Sequence, residues 1–407
     1  MEPWEKVFIN LGRKTDVGQL DYHLENLSCS DCHGGDNTKP NNMEEAHSGL
    51  IPDPSRFNED GVNACGKSGC HEDLSSQYKK SLHQMAWGER KMVSIRSGVS
   101  TFEQCPQSTI DGFNGECANC HATCGDCHIS IPNSAGQGLV NDHKFTPNPS
   151  PVDNCMACHG SRIAHDFLGD YEIYPVRPRD VHANSMSCMD CHTQTEMHSS
   201  VAENTDRYEY NQLPSCEDSQ CHDNIAAANN YHQMHYNDLS CYVCHSQDYS
   251  NCTDCHVTPV ADDWTVNIGW KEDPVYQSTN PAEDFRIGLN PLKQESGRFR
   301  QKFTTLRHIP VSKVSFSNWG PASEDLTGYD ALPTWKYTSP HSIRRFTART
   351  DTSGGKGCQE SCHMGGAHGD STNIKYFLTK DYVNQNWPDE VNANENVYVD
   401  DELPAGW

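Results

Sequence analysis

Twenty of the chain's 21 cysteines fall into ten separate pairs, and the second cysteine of every pair is followed at once by a histidine. Seven pairs enclose two residues: Cys29/Cys32/His33, Cys117/Cys120/His121, Cys124/Cys127/His128, Cys155/Cys158/His159, Cys188/Cys191/His192, Cys241/Cys244/His245 and Cys252/Cys255/His256. Three are wider: Cys65 and Cys70 before His71, Cys216 and Cys221 before His222, and Cys358 and Cys362 before His363. Cys105 alone is left over. Zinc sites require two ligand pairs at matched distances and give no reason for a histidine after every second cysteine. Disulfides between such near neighbours explain the histidines no better. C-x-x-C-H is the attachment signature of a c-type haem. In it two thiols add to the porphyrin vinyl groups as thioethers, and the adjacent imidazole stands beneath the iron. At helical pitch, residues i, i+3 and i+4 share one face, so a single short turn presents all three groups to one side of a flat macrocycle. The three wide pairs are read the same way, because accepting them uses every cysteine but one.

An iron built for electron transfer takes a ligand on its other face as well, most often a second histidine, and that ligand tunes its potential. Removing the ten motif histidines from the 22 in the chain leaves twelve: His23, His47, His83, His143, His165, His182, His198, His232, His235, His308, His341 and His368. Twelve candidates for ten irons leave two spare, and His368 and one of His232 and His235 are the weakest. His182 and His198 flank the motif at Cys188, and His165 follows the one at Cys155. His308 and His341 stand in a stretch without cysteines, which a ligand role would tie to the haems. Met85, Met156, Met189, Met197 and Met234 lie near motifs and are read as packing residues. Cys105 is read as a buried thiol, with a reactive one as the alternative.

Only 35% of residues are hydrophobic, while Gly (29) and Pro (22) are plentiful, so ordinary apolar cores cannot fill a chain of 407 residues. Cofactors must occupy the interior. The fold class expected is a multihaem cytochrome c: mostly short α-helices and irregular coil wrapped around a closely packed haem array, with little β. A longer helix is expected over Ser75 to Val93. Residues 1–256 form a haem-dense region with nine motifs, and residues 257–357 a haem-poor aromatic segment that either wraps haem edges or docks a partner. Residues 358–407 carry the tenth motif and an acidic tail. From Glu390 to Trp407 the tail alternates apolar positions (Val391, Val397, Val399, Leu403), which suits either a strand added to a neighbouring subunit or a disordered terminus. The formal charge of −25 disfavours nucleic acid and anionic lipid and favours basic or metal-cation partners. No apolar run approaches the roughly 18–20 residues of a membrane span. Met1 to Asn10 lacks a signal-peptide core, so the sequence is read as an exported chain whose signal is already removed.

With the ten motifs stand the runs CANCHATCGDCHISIP, CMACHGSRIAHDF and DVHANSMSCMDCHTQTEMH. On these the chain resembles the large multihaem c-type cytochromes of metal- and sulfate-reducing microbes, over residues 29–256. The resemblance implies ten covalently attached haem c groups and a periplasmic or extracellular electron carrier. Some members polymerise into filaments whose haems run from subunit to subunit. The partners implied are other cytochromes or copies of the chain itself, and extracellular acceptors such as metal oxides or partner cells. A filament would leave room for a ligand donated across the subunit interface, with His23 a candidate donor. A soluble periplasmic carrier is the alternative. A multihaem nitrite, hydroxylamine or tetrathionate oxidoreductase would need an open iron, and the C-x-x-C-K motif found in several such families does not occur. The expectation is conduction, not catalysis.

Overall fold

A computed structural model of the chain describes residues 23, 26–39, 41–116, 121–132, 138–140, 143–169, 178–210, 212–250, 283–309, 311, 326–355, 361–362, 376–400 and 402. It is mostly helix and coil with a small sheet, in keeping with the little β expected. The chain divides into two compact units that interleave in sequence. The first comprises Met1–Gly88, Cys117–Gly160 and Cys188–Tyr210; the second comprises Glu89–Glu116, Ser161–Ser187 and Asn211–Trp407. The divisions by motif density at residues 256 and 357 therefore describe where the chemistry lies in the sequence, not these units.

The first unit is a set of one- and two-turn helices joined by turns: Cys29–His33, Met43–Ala46, Glu72–Tyr78, Leu82–Met85, Cys124–His128, Met156–His159, Cys188–Cys191 and Gln194–His198. Polar pins hold these turns together where apolar residues are scarce. The Ser55 hydroxyl donates to Thr123 Oγ1 (2.8 Å), Tyr78 OH to Ala122 O (2.6 Å), and Asn154 Nδ2 to the carbonyls of Asp126 and Ser130 (2.7 and 2.8 Å). The single helix expected from Ser75 to Val93 is broken into Glu72–Tyr78, Leu82–Met85 and Trp87–Arg96. Two local features break it. Ser81 takes an N-cap conformation and accepts the Gln84 N–H, and Ala86 is left-handed at φ 47°. His83 thereby stands on a turn of its own.

The second unit has an apolar core built on β-structure. A short antiparallel ribbon pairs β1 (Tyr249–Ser250) with β2 (Glu283–Asp284). A three-stranded antiparallel sheet has β4 (Phe303–His308) at its centre, between β3 (Arg286–Leu289) and β5 (Trp335–Tyr337). Because strand side chains alternate, β4 serves two clusters. Leu306 packs with Trp335, Leu378, Val383, Trp387, Val397 and Tyr398 on one face. Phe303 packs with Val243, Tyr249, Phe285, Ile287, Phe377 and Val399 on the other. Gly288 permits close approach of the tail: a Cβ there would lie 2.2 Å from Leu306 Cδ1 and 2.7 Å from the Val397 carbonyl.

The tail closes this core. Leu289 N–H donates to Val397 O and Val399 N–H to Leu378 O, with Val397 and Val399 fully buried. Up to residue 400 it is neither a strand held out for another subunit nor a disordered terminus, because its apolar alternation is spent on its own chain. In the aromatic segment Phe285, Phe299, Phe303, Trp335 and Tyr337 are buried core residues, while Trp264, Trp270, Tyr276, Phe316 and Trp319 lie outside the described residues.

Candidate metal centres

The motif turns are shaped by the residues beside them. Ser28 precedes Cys29 and forms a capping box with Asp31, whose Oδ2 accepts from Ser28 N (2.6 Å) and Oγ (2.7 Å). Thr123 and Asp126 repeat the arrangement around Cys124. These boxes start the helix at the first cysteine and carry it to the histidine. In the wide motif at Cys216, Asp218 Oδ2 accepts the Ser215 N–H (2.8 Å). A Ser or Thr before the first cysteine and an Asp three residues on is a signal the cysteine count passes over, although it was legible as S/T-C-x-D.

Wide and standard motifs close with the same hydrogen bond. In the Cys188 motif the histidine N–H reaches the carbonyl of the first cysteine, His192 to Cys188, at 2.9 Å. His71 reaches Cys65 O at 2.9 Å and His222 reaches Cys216 O at 3.2 Å across two more residues. The additional residues form a turn, closed by Cys70 N–H to Lys67 O (3.0 Å) and Cys221 N–H to Asp218 O (2.8 Å). First cysteine and histidine are thus linked alike in both spacings.

The Cys155 motif lies on continuous helical backbone whose preceding turn is π-wound. Cys155 ends a π-helical turn, Pro151–Cys155, whereas Cys158 and His159 belong to the α-helical turn Met156–His159 that follows. The cause lies upstream: the Cys155 N–H donates to the Ser150 carbonyl five residues back (3.4 Å), the bond of the wider turn, and Ser150 caps it by accepting the Asp153 N–H (3.1 Å). Cys158 is partly buried and near Cys127, whose thiol burial pushes up to about 12, with Asp126, Cys124 and Cys158 adding to the rise. Among the other second cysteines, Cys32, Cys127, Cys244 and Cys362 are partly buried, and Cys70, Cys191 and Cys221 are exposed.

Six motif histidines each face a histidine from outside the motifs. Ring centres are 6.0 Å apart for His23 and His71, 6.2 Å for His33 and His143, and 6.3 Å for His83 and His159. They are 6.1 Å apart for His128 and His198, 6.2 Å for His182 and His222, and 6.1 Å for His232 and His245. Two imidazoles on opposite sides of one metal, each bonded at about 2.0–2.1 Å with its ring centre about 1.1 Å further out, have centres about 6.2–6.4 Å apart. No group of three or more His, Cys, Asp or Glu able to hold a metal by itself occurs among the described residues. The histidines come in twos, an arrangement that would suit an iron already held by four porphyrin nitrogens.

Second partners orient several of these rings through Nδ1. His33 Nδ1 bonds to Ile51 O (2.8 Å), His128 to Thr146 O (2.7 Å), His198 to Gln194 O (2.9 Å) and His245 to Arg344 O (3.1 Å). His182 Nδ1 meets Asp180 Oδ1 at 2.8 Å, and His192 Nδ1 meets both Glu196 oxygens at 3.1 Å. Such bonds fix the tautomer and leave Nε2 for a metal. Burial holds His128 and His245 below the ordinary histidine value, against the pull of their carbonyl partners. Both are therefore neutral at pH 7, the state that ligates.

First cysteines of different motifs meet. Cys65 lies within hydrogen-bonding reach of Cys124, Cys155 of Cys188, and Cys216 of Cys241. In each pair one thiol is pushed up and its partner down, Cys188 to about 6. The two motifs of each pair are thereby neighbours. Around Cys241, the segment after β5 forms a clamp: Thr347 Oγ1 donates to Cys244 O (2.7 Å), and Arg349, stacked 3.3 Å from the Phe285 ring centre, donates to the carbonyls of Val243 and Ser246.

His308 is not held for a metal: it is buried in the sheet core, its Nε2 bonded to Glu390 Oε2 at 2.7 Å and its ring stacked on Trp335 at 4.6 Å. A ligand role for it is corrected to a core role, because its metal-binding nitrogen is already engaged. His23, a candidate for donation across an interface, faces His71 of its own chain. His47 is exposed after Met43–Ala46, His165 is exposed at the start of His165–Leu168, and His235 is partly buried in Asn230–His235. His341 and His121 are partly buried. Cys105 is buried near the hydroxyls of Ser94 and Ser97. Cys117, Cys120, Cys252, Cys255, His256, Cys358, His363 and His368 lie outside the described residues.

No protein-family model, no curated protein and no solved structure matches the chain. No helix among the described residues is long and apolar enough to cross a membrane.

Proposed function

We propose that the chain is a decahaem c-type cytochrome that conducts electrons through closely packed, bis-histidine haems outside the cytoplasm. The observation that carries this reading is the set of six histidine pairs, each joining a motif histidine to one from elsewhere at about the separation of two imidazoles across one iron. The meeting of first cysteines from different motifs supports close packing of the attached groups. Bound haem supplies a one-electron iron couple. The motif cysteines would anchor it by thioethers, and at the six paired sites both histidines would ligate the iron and leave it no open position for a substrate. For this reason the electron-carrier reading stands ahead of an oxidoreductase.

The test is a haem count by the pyridine haemochrome method, with low-temperature electron paramagnetic resonance of the oxidised protein. Ten haems, all low-spin, support the reading; a high-spin iron that binds nitrite or hydroxylamine overturns it. Long-range transfer as an extracellular filament is the extended form of the proposal, and it rests on the resemblance and on the acidic surface. Electron microscopy of native protein showing only single particles overturns that form and leaves a soluble carrier.

A further inference from the structure

We propose that Asp180 and Glu196 set the potentials of two of the irons. Each accepts a hydrogen bond from Nδ1–H of an axial imidazole, His182 and His192, and holds that iron's reduction potential below the value a backbone carbonyl would give. The inference rests on the haem reading above.

Four axial imidazoles, those of His33, His128, His198 and His245, direct Nδ1 to neutral backbone carbonyls. His182 and His192 differ in meeting carboxylates. A hydrogen bond to an ionised acceptor is roughly twice as strong as one between neutral groups, and it makes the imidazole a more basic ligand. A more basic ligand and a nearby negative charge both favour the oxidised iron, which carries one more positive charge.

The setting of Asp180 strengthens the effect. The residue is 2% exposed, so its charge is little screened. Its carboxylate is pinned at both oxygens: Oδ1 accepts His182 N–H as well as Nδ1–H, each at 2.8 Å, and Oδ2 accepts the Ile343 N–H at 2.6 Å. It cannot swing away when the iron changes charge. Glu196 sits one helical turn after His192, its backbone N–H bonded to Thr193 Oγ1 at 3.3 Å and its side chain 9% exposed. The couple is Fe(III) plus one electron giving Fe(II), and the Nδ1 proton stays on the imidazole in both states, so no proton donor or acceptor is required. Asp180 also holds residues 180–182 to Ile343, and the readout must separate that structural role from the electronic one.

The experiment is a mediated spectroelectrochemical titration, with dithionite as reductant, of the purified holoprotein, Asp180→Asn and Glu196→Gln. In each variant one of the ten one-electron components should move upward, the reduced-to-oxidised ratio at the wild-type midpoint rising about tenfold, which is about 59 mV for one electron. The other nine should not move. Unfolding midpoints that change while every potential stays in place make these residues structural and overturn the proposal. Should Asp180→Asn fail to accumulate, the helix position of Glu196→Gln still decides: a curve that overlays the wild type overturns it. Ten low-spin haems in the wild type test the haem reading separately, so failure of the variants leaves that reading intact.

Discussion

At the scale of single residues, the orientation of two facing imidazoles is as informative as their separation. The planes of His83 and His159 are 81° apart, those of His33 and His143 72°, and those of His182 and His222 67°, whereas His128 and His198 are within 19°. Near-perpendicular rings leave the two π-bonding d orbitals of a low-spin iron almost degenerate, and near-parallel rings split them. The oxidised protein should therefore give strongly anisotropic, large-g signals for the first three pairs and a rhombic signal for the fourth. Replacing His198 by Met should remove a rhombic component and leave the anisotropic ones. Loss from the anisotropic set would mean that His198 serves a different iron. His308 makes the opposite case. It is 1% exposed, and the Glu390 carboxylate that meets it also accepts the Thr334 hydroxyl. Glu390→Ala, which leaves a buried imidazole without its partner, should destabilise the second unit by about 1–3 kcal/mol and leave every low-spin signal in place. Loss of a haem signal in that variant would restore His308 to the ligands. Nothing local in the sequence separates His308 from His83. The first ends a strand, between Arg307 and Ile309, and the second lies on an isolated turn, and only the folded chain shows which one has its Nε2 engaged.

Among the elements, the motif turns were the most legible part of the molecule. Cysteine and histidine spacing locates them, and capping residues such as Ser28 and Thr123 mark where each helix starts. The π-wound turn that leads into Cys155 was hidden, because it comes from the Ser150–Pro151 start and not from the motif itself. The partners of the motif histidines were not legible, since a pair such as His33 and His143 is separated by more than a hundred residues. Proximity in sequence does not set the pairing: His182 and His198 flank the Cys188 motif but face His222 and His128. The sheet was hidden too, because β4 reads FTTLRH, a polar strand whose burial comes from neighbours on both faces. The wide motif at Cys216 carries an electrostatic dependence of its own. Burial alone would raise the Glu217 carboxyl, but hydrogen bonds from Arg300 (2.8 and 3.1 Å) and from Tyr236 hold it below the ordinary glutamate range. A carboxylate depressed on folding contributes stability that is present above its unfolded pKa and is lost as pH falls through the folded one. Wild type should thus exceed Glu217→Gln by about 1 kcal/mol or less at neutral pH, since the pair is partly exposed. The difference should disappear in acid, below the ordinary glutamate range. Unfolding midpoints followed against pH check this, and a gap that persists in acid would assign the effect to packing.

On the scale of the whole molecule, two kinds of interior divide the work. Turns that present thiols and imidazoles are held by polar pins, whereas the sheet and tail of the second unit form an ordinary apolar core. Val399→Asp places a charge at a fully buried position and should cost at least about 3 kcal/mol, enough to unfold a marginal unit. Limited proteolysis should then cut within residues 283–400, and an intact, resistant segment would show that the tail is dispensable. The surface acts over longer distances. With a formal charge of −25 the chain is surrounded by a negative potential that attracts cationic electron donors and repels anionic ones. Salt shortens the reach of that field, the Debye length falling from about 30 Å at 0.01 M to about 8 Å at 0.15 M. If electrons enter through exposed groups under this field, reduction by a small cationic one-electron donor should slow by roughly tenfold over that range, in keeping with the size of steering effects. Reduction by an anionic donor of similar potential should quicken. Stopped-flow traces at the haem absorption band measure both. Rates that ignore salt for both donors would mean that electrons enter where the local charge is balanced, and the acidic surface would then have no part in selecting partners.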